Sequence, residues 1–171
     1  MRTRTGLISW SISIALAVLI SVLTTPSLLA QKKDTLELHK IPPKVMASLT
    51  TKFPDAQIRT WTRETEGDIL IYDIEFLQAG RKFEADIKEN GTIQNWEAEI
   101  QPGDLPARAR AVVEERYPGS RLKEVMAITE VTDEEESLQA YEILIETADG
   151  MSIELTMAPD GTILEDSGVK E

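Results

Sequence analysis

Apolar and polar positions along the chain follow two rhythms that alternate. Val45, Met46, Leu49 and Phe53 recur at three- and four-residue steps, one face of a helix. Ile41-Pro42-Pro43 starts that helix, because proline suits the first turn, and Pro54 ends it. The period then drops to two. Residues 56–63, with Ile58, Thr60, Trp61 and Thr62, read as a strand, and Glu66-Gly67-Asp68 turns the chain. Leu70, Tyr72, Ile74 and Phe76 alternate with Ile71, Asp73 and Glu75. After Ala79-Gly80, Phe83, Ala85 and Ile87 alternate with Lys82, Glu84, Asp86 and Lys88, so both strands have one wet face. Asn90-Gly91 predicts a type I′ hairpin turn. Residues 92–100 follow as a fourth strand, whose apolar parity slips between Ile93 and Trp96 as it would at a bulge.

The same text is then written again. Phe53-Pro54 returns as Tyr117-Pro118, Tyr72 to Phe76 as Tyr141 to Ile145, and Asn90-Gly91-Thr92-Ile93 as Asp160-Gly161-Thr162-Ile163. The offsets are 64, 69 and 70 residues, as expected of a duplicated unit with two small insertions in its second copy. Leu105-Pro106 opens the second helix, with Ala109, Val113 and Tyr117 on one face. Strands follow at 122–129, at Tyr141 to Glu146, at Ser152 to Met157 and from Thr162, with an acidic loop at Val131 to Ser137. The expected fold is α+β: two tandem copies of a helix followed by a four-stranded antiparallel sheet, each helix packed on one face of its own sheet. About 70 residues per copy makes a marginal core, so the copies are expected to pack together.

The first thirty residues read differently. Arg2 and Arg4 precede an uncharged run from Leu7 to Leu23, and Ser27-Leu28-Leu29-Ala30 resembles a signal-peptidase site. Residues 1–30 are therefore expected to be an export signal, with retention as an uncleaved anchor the alternative. Residues 31–40 read as a polar linker carrying the single histidine, His39. All 30 acidic residues and 16 of the 18 basic ones lie beyond residue 30, a net charge of −14 for that part. Such a chain is repelled by nucleic acid and by anionic membrane surfaces. It suits a basic patch on another protein, or a cation.

These residues resemble the PepSY-like family, which includes β-lactamase-inhibitor-like proteins of the bacterial periplasm. The resemblance rests on Phe53-Pro54, Tyr72 and Asn90-Gly91, then Tyr117-Pro118, Tyr141 and Asp160-Gly161, and spans roughly residues 41–165. It implies repeats at 41–101 and 102–171, a periplasmic or secreted location, and a binding module that is not an enzyme. Inhibitor relatives grip an enzyme with the open sheet face, and fold alone does not supply the partner.

Catalytic chemistry finds little support. The chain has no cysteine, and its one histidine lies in a polar arm without an orienting partner. No phosphate-cradling glycine pattern occurs, and no cofactor is expected. If the helices cover the faces bearing Tyr72, Ile74, Phe83 and Ile87, the opposite faces collect Asp73, Glu75, Glu84 and Asp86, then Glu142, Leu144, Glu146 and Glu154. Trp61, between Arg59 and Arg63, is placed with them as an aromatic anchor. The predicted partner-binding set is Trp61, Asp73, Glu75, Glu84, Asp86, Glu142 and Glu154. A face kept soluble by its carboxylates is the plainer reading. Weak calcium binding by clustered carboxylates, Asp133 to Glu136 included, is the alternative function.

Overall fold

The computed structural model describes residues 36–132 and 135–168. The expected export signal, residues 31–35 of the linker, and Asp133-Glu134 of the acidic loop lie outside the described residues. Among the described residues, no helix is long and apolar enough to cross a membrane.

In chain order the elements are α1 (Pro43–Lys52), β1 (Gln57–Glu66), β2 (Ile69–Gln78), β3 (Arg81–Lys88), β4 (Ile93–Glu99), α2 (Ala107–Arg116), β5 (Arg121–Thr132), β6 (Glu135–Glu146), β7 (Ser152–Met157) and β8 (Ile163–Asp166). Pro43 occupies the first turn of α1, where its missing N–H would have no partner in any case. Phe53 and Tyr117 close the two helices, each N–H bonding to the carbonyl four residues back.

Two separate four-stranded sheets do not form. The strands make one eight-stranded antiparallel sheet in the order β1 to β8. Its seam is β4 against β5, from Asn95 opposite Glu130 to Glu99 opposite Met126. Backbone bonding explains the correction. Two separate sheets would leave β4 and β5 as edges with unpaired N–H and C=O groups, and joining them satisfies both rows.

Register carries one side-chain row across the seam: Phe76, Phe83, Ala98, Ala127, Tyr141 and Met157 lie opposite one another in turn. Both helices therefore cover the same face. Val45, Leu49 and Phe53 of the α1 segment pack with Tyr72, Ile74, Phe76 and Ile87. Ala109 and Val113 of α2 pack with Val125, Tyr141, Ile143, Ile145, Leu155 and Met157. Leu49 is fully buried, and such a side chain stabilises the fold by about 2 kcal/mol.

The β3–β4 turn differs from the expected type I′. Gly91 has φ +93°, whereas Asn90 is not among the residues with positive φ. The Gly91 N–H bonds to the Lys88 carbonyl, so the turn is type I followed by a left-handed glycine. Asn90 serves through its side chain, accepting from the Thr92 N–H at 2.9 Å. The glycine sits under α1, where Ser48 Oγ donates to the Gly91 carbonyl at 2.6 Å and a Cβ would come within 3.1 Å of the Lys44 carbonyl oxygen.

Candidate functional site

The face opposite the helices carries the acidic side chains. Asp73 and Glu75 project from it on β2, and Glu84 and Asp86 on β3, because all four alternate with the helix-facing Tyr72, Ile74, Phe83, Ala85 and Ile87. Glu142 and Glu154 lie on the same face of β6 and β7, where Glu142 is opposite Met126 and Glu154 is opposite Leu144. The structure thus brings six of the seven predicted residues onto one surface.

Trp61 is the exception. It lies opposite Ile74, stacks on Tyr72 with ring centroids 6.1 Å apart, and packs at the margin of the α1 core. A register shift at Arg59 puts Ile58 and Trp61 on the helix-covered face together, which simple alternation from Ile58 would not do. The expectation that Trp61 anchors the acidic face is corrected accordingly. Its ring is on the other side of the sheet.

Acidic residues missed in the sequence extend the surface, Glu97 and Glu124 at its middle strands and Glu64, Glu66, Glu99, Glu130 and Glu165 around them. Glu97 lies opposite both Glu84 and Ile128, and Glu124 lies opposite Leu144. The β4 register shift explains the first. Asp86 pairs with Asn95 but Ile87 with Ile93, so Gln94 is an extra residue. The parity slip at Ile93 and Trp96 was its signal, and counting forward from Trp96 would have turned Glu97 to the wet face.

Lys82, near the start of β3, bridges carboxylates of this surface. Its ammonium lies 2.8 Å from a carboxylate oxygen of Glu84, 2.8 Å from one of Glu124 and 3.8 Å from one of Glu75, so three strands converge on it. Burial alone would lower its pKa, but the hydrogen bonds to Glu124 and Glu84 outweigh that and raise it, keeping the amine charged. Beneath the charges the floor is apolar. Ile71 and Met126 are each only 1% exposed although no helix among the described residues covers this face.

Low hydration and like-charged neighbours shift several of these carboxyls. Burial, then Glu84, pushes Asp73 up to about 6, with Glu64 and Glu75 adding and a hydrogen bond from Thr62 opposing. Burial raises Asp86 to about 7, opposed by the 2.9 Å hydrogen bond from Asn95 and reinforced by Asp73, Glu64 and Glu66. Glu97 is pushed to about 9 by burial and then by Glu142, Glu84, Asp86 and Asp73. Glu142 rises to about 7 through burial and then Glu154 and Glu84, with Lys82 opposing and Glu124 adding. Glu154 is also raised, by burial first and then by Glu165 and Glu84. Such a surface accepts hydrogen bonds from ammonium or guanidinium groups, as it already does from Lys82. Among the described residues, no group of three or more His, Asp or Glu side chains is placed to hold a metal ion.

No family model matches the chain, and no curated protein matches it. Solved structures do. A protein from Bacteroides eggerthii, provisionally described as periplasmic, superposes with a TM-score of 0.57 at 12% identity, over 74% of this chain and 87% of that one. A DUF2874 family protein from Bacteroides uniformis gives 0.55 at 14% identity, over 73% and 87%. A BLIP-like protein from Bacteroides fragilis gives 0.50 at 17% identity, over 75% and 87%. The likeness is one of fold.

Proposed function

We propose that this chain is an exported, non-catalytic binding protein that grips another envelope or secreted protein through its acidic sheet face. One observation carries the reading: carboxylates from several strands gather on a face that no described helix covers, around a lysine they already bind. A basic patch presenting lysine or arginine side chains fits that surface by charge. Asp73, Glu75, Glu84, Asp86, Glu97, Glu142 and Glu154 form the proposed contact set. Trp61 leaves it.

The PepSY-like resemblance supports a binding role, as does the fold shared with the BLIP-like protein. The provisional periplasmic description of the B. eggerthii protein agrees with export through residues 1–30. On this reading residues 31–40 are the linker, and 41–101 and 102–171 are duplicated units whose sheets have merged. The test compares capture of envelope proteins by the chain and by a Glu75→Lys, Glu84→Lys, Glu142→Lys variant, with Glu89→Lys, Asp55→Lys, Glu115→Lys as a charge-matched control. A protein retained by the chain and the control but lost by the face variant supports the reading. Equal retention by all three contradicts it.

A further inference from the structure

Charge complementarity alone does not require like charges to face one another, yet here they do. Asp73 lies directly opposite Asp86, Glu75 opposite Glu84, and Glu84 opposite Glu97. Directly opposed like charges destabilise a sheet, and a face selected only for solubility would stagger its signs. Lys82 relieves Glu75, Glu84 and Glu124. Among the described residues, no ion pair reaches Asp73, Asp86, Glu97 or Glu142.

We propose that these carboxyl groups hold protons in the free protein and release them when lysine or arginine side chains of the partner dock, so that binding and deprotonation are one linked event. The inference rests on the docking reading above and adds its regulation. Each carboxyl O–H proton passes to solvent, and a partner N–H takes its place at the oxygen. The groups that set this balance come from every strand of the face: Glu64 and Glu66 on β1, Asp73 and Glu75 on β2, Lys82, Glu84, Asp86 and Lys88 on β3, Glu97 and Glu99 on β4, Glu124 and Glu130 on β5, Glu142 on β6, Glu154 on β7 and Glu165 on β8. Hydrogen bonds from Thr62 and Asn95 hold Asp73 and Asp86 in place for the exchange. The raised proton affinities of Asp73, Asp86, Glu97 and Glu142 agree with this geometry. Lys82 shows the end state, an ammonium held by three carboxylates.

Two measurements test it. In the first, the free chain and an Asp73→Asn, Asp86→Asn, Glu97→Gln, Glu142→Gln variant are titrated with acid between about pH 8 and pH 5. The chain should take up roughly three protons more than the variant over that range, one each at Asp73, Asp86 and Glu142, because an ordinary carboxyl stays almost fully ionised throughout it. Equal uptake overturns the inference and leaves the docking reading standing. In the second, hexalysine is titrated calorimetrically into the chain in phosphate and in Tris at the same pH. A heat that differs between buffers by the sign of proton release is expected, with affinity rising roughly tenfold per pH unit for each proton released. Identical heats overturn the inference. Hexalysine binding that is indifferent to the Glu75→Lys, Glu84→Lys, Glu142→Lys changes instead overturns the docking reading itself.

Discussion

Glu84 and Glu97 face each other directly across β3 and β4, and Glu75 stands on the far side of Glu84. Three ionised carboxylates in one cross-strand row would be unfavourable together at neutral pH, and the row avoids this with the Lys82 ammonium at Glu75 and Glu84 and a raised proton affinity at Glu97.

The first consequence is an inverted pH profile of stability. Asp73, Asp86, Glu142 and Glu97 have folded-state pKa values raised to about 6, 7, 7 and 9. In the unfolded chain the same carboxyls titrate near pH 4. A group bound to its proton more tightly when folded stabilises the fold below its unfolded pKa, and that contribution is lost as pH rises through the folded value. Thermal unfolding should therefore occur at higher temperature near pH 5 than near pH 9, by several degrees. A melting temperature that climbs over this range would contradict the burial of these groups.

Neutralising Glu97 should stabilise the protein. Glu97→Gln keeps the shape and gives Glu84 and Ile128 a permanently neutral neighbour, with no proton to be taken up on folding. Chemical denaturation at about pH 8 should show a gain on the order of 1 kcal/mol or more, fading towards pH 5 as the unfolded carboxyl nears its own protonation and folding needs less proton uptake. A loss at both pH values would mean that Glu97 has a partner the structure does not show.

Lys82→Met removes the ammonium that Glu84, Glu124 and Glu75 share. The three carboxylates are then uncompensated in a part-buried site, at a cost on the order of 1–3 kcal/mol. The loss should be larger at about pH 8 than at about pH 5, again read by denaturant unfolding.

On the other face, Tyr117 Oη donates to Asp166 Oδ1 at 2.5 Å and joins the end of α2 to β8. Burial would raise the Asp166 carboxyl, but the bonds from Tyr117, Arg116 and the Gly168 N–H hold it below the usual range. Tyr117→Phe should cost about 1 kcal/mol and speed amide exchange in β8 more than in β2. Uniform exchange across the sheet would show that Tyr117 acts only as bulk.

Much of this protein could be read from side-chain rhythm. Val45, Leu49 and Phe53 marked the buried stripe of α1, and the alternation of Asp73, Glu75, Glu84 and Asp86 against Tyr72, Ile74, Phe83 and Ile87 marked two faces of a sheet. What escaped reading was carried by backbone. The β4–β5 seam joins residues some thirty positions apart through N–H and C=O groups, which leave no periodic trace in side chains. Single-residue register shifts at Arg59 and Gln94 reversed the parity of what followed, hiding Glu97 and misplacing Trp61. The Asn90-Gly91 pair was recognisably a turn, but its type depended on a φ that only Gly91 makes positive.

The most direct test of the acidic face as a docking surface is a titration of the isotope-labelled chain with hexalysine, followed by amide chemical shifts. The account predicts that the largest changes cluster at Asp73, Glu75, Glu84, Asp86, Glu97, Glu142 and Glu154, and that the amides of α1 and α2 stay still. Changes centred on the helices, or on the Glu135-Glu136 end of the β5–β6 hairpin, would contradict it.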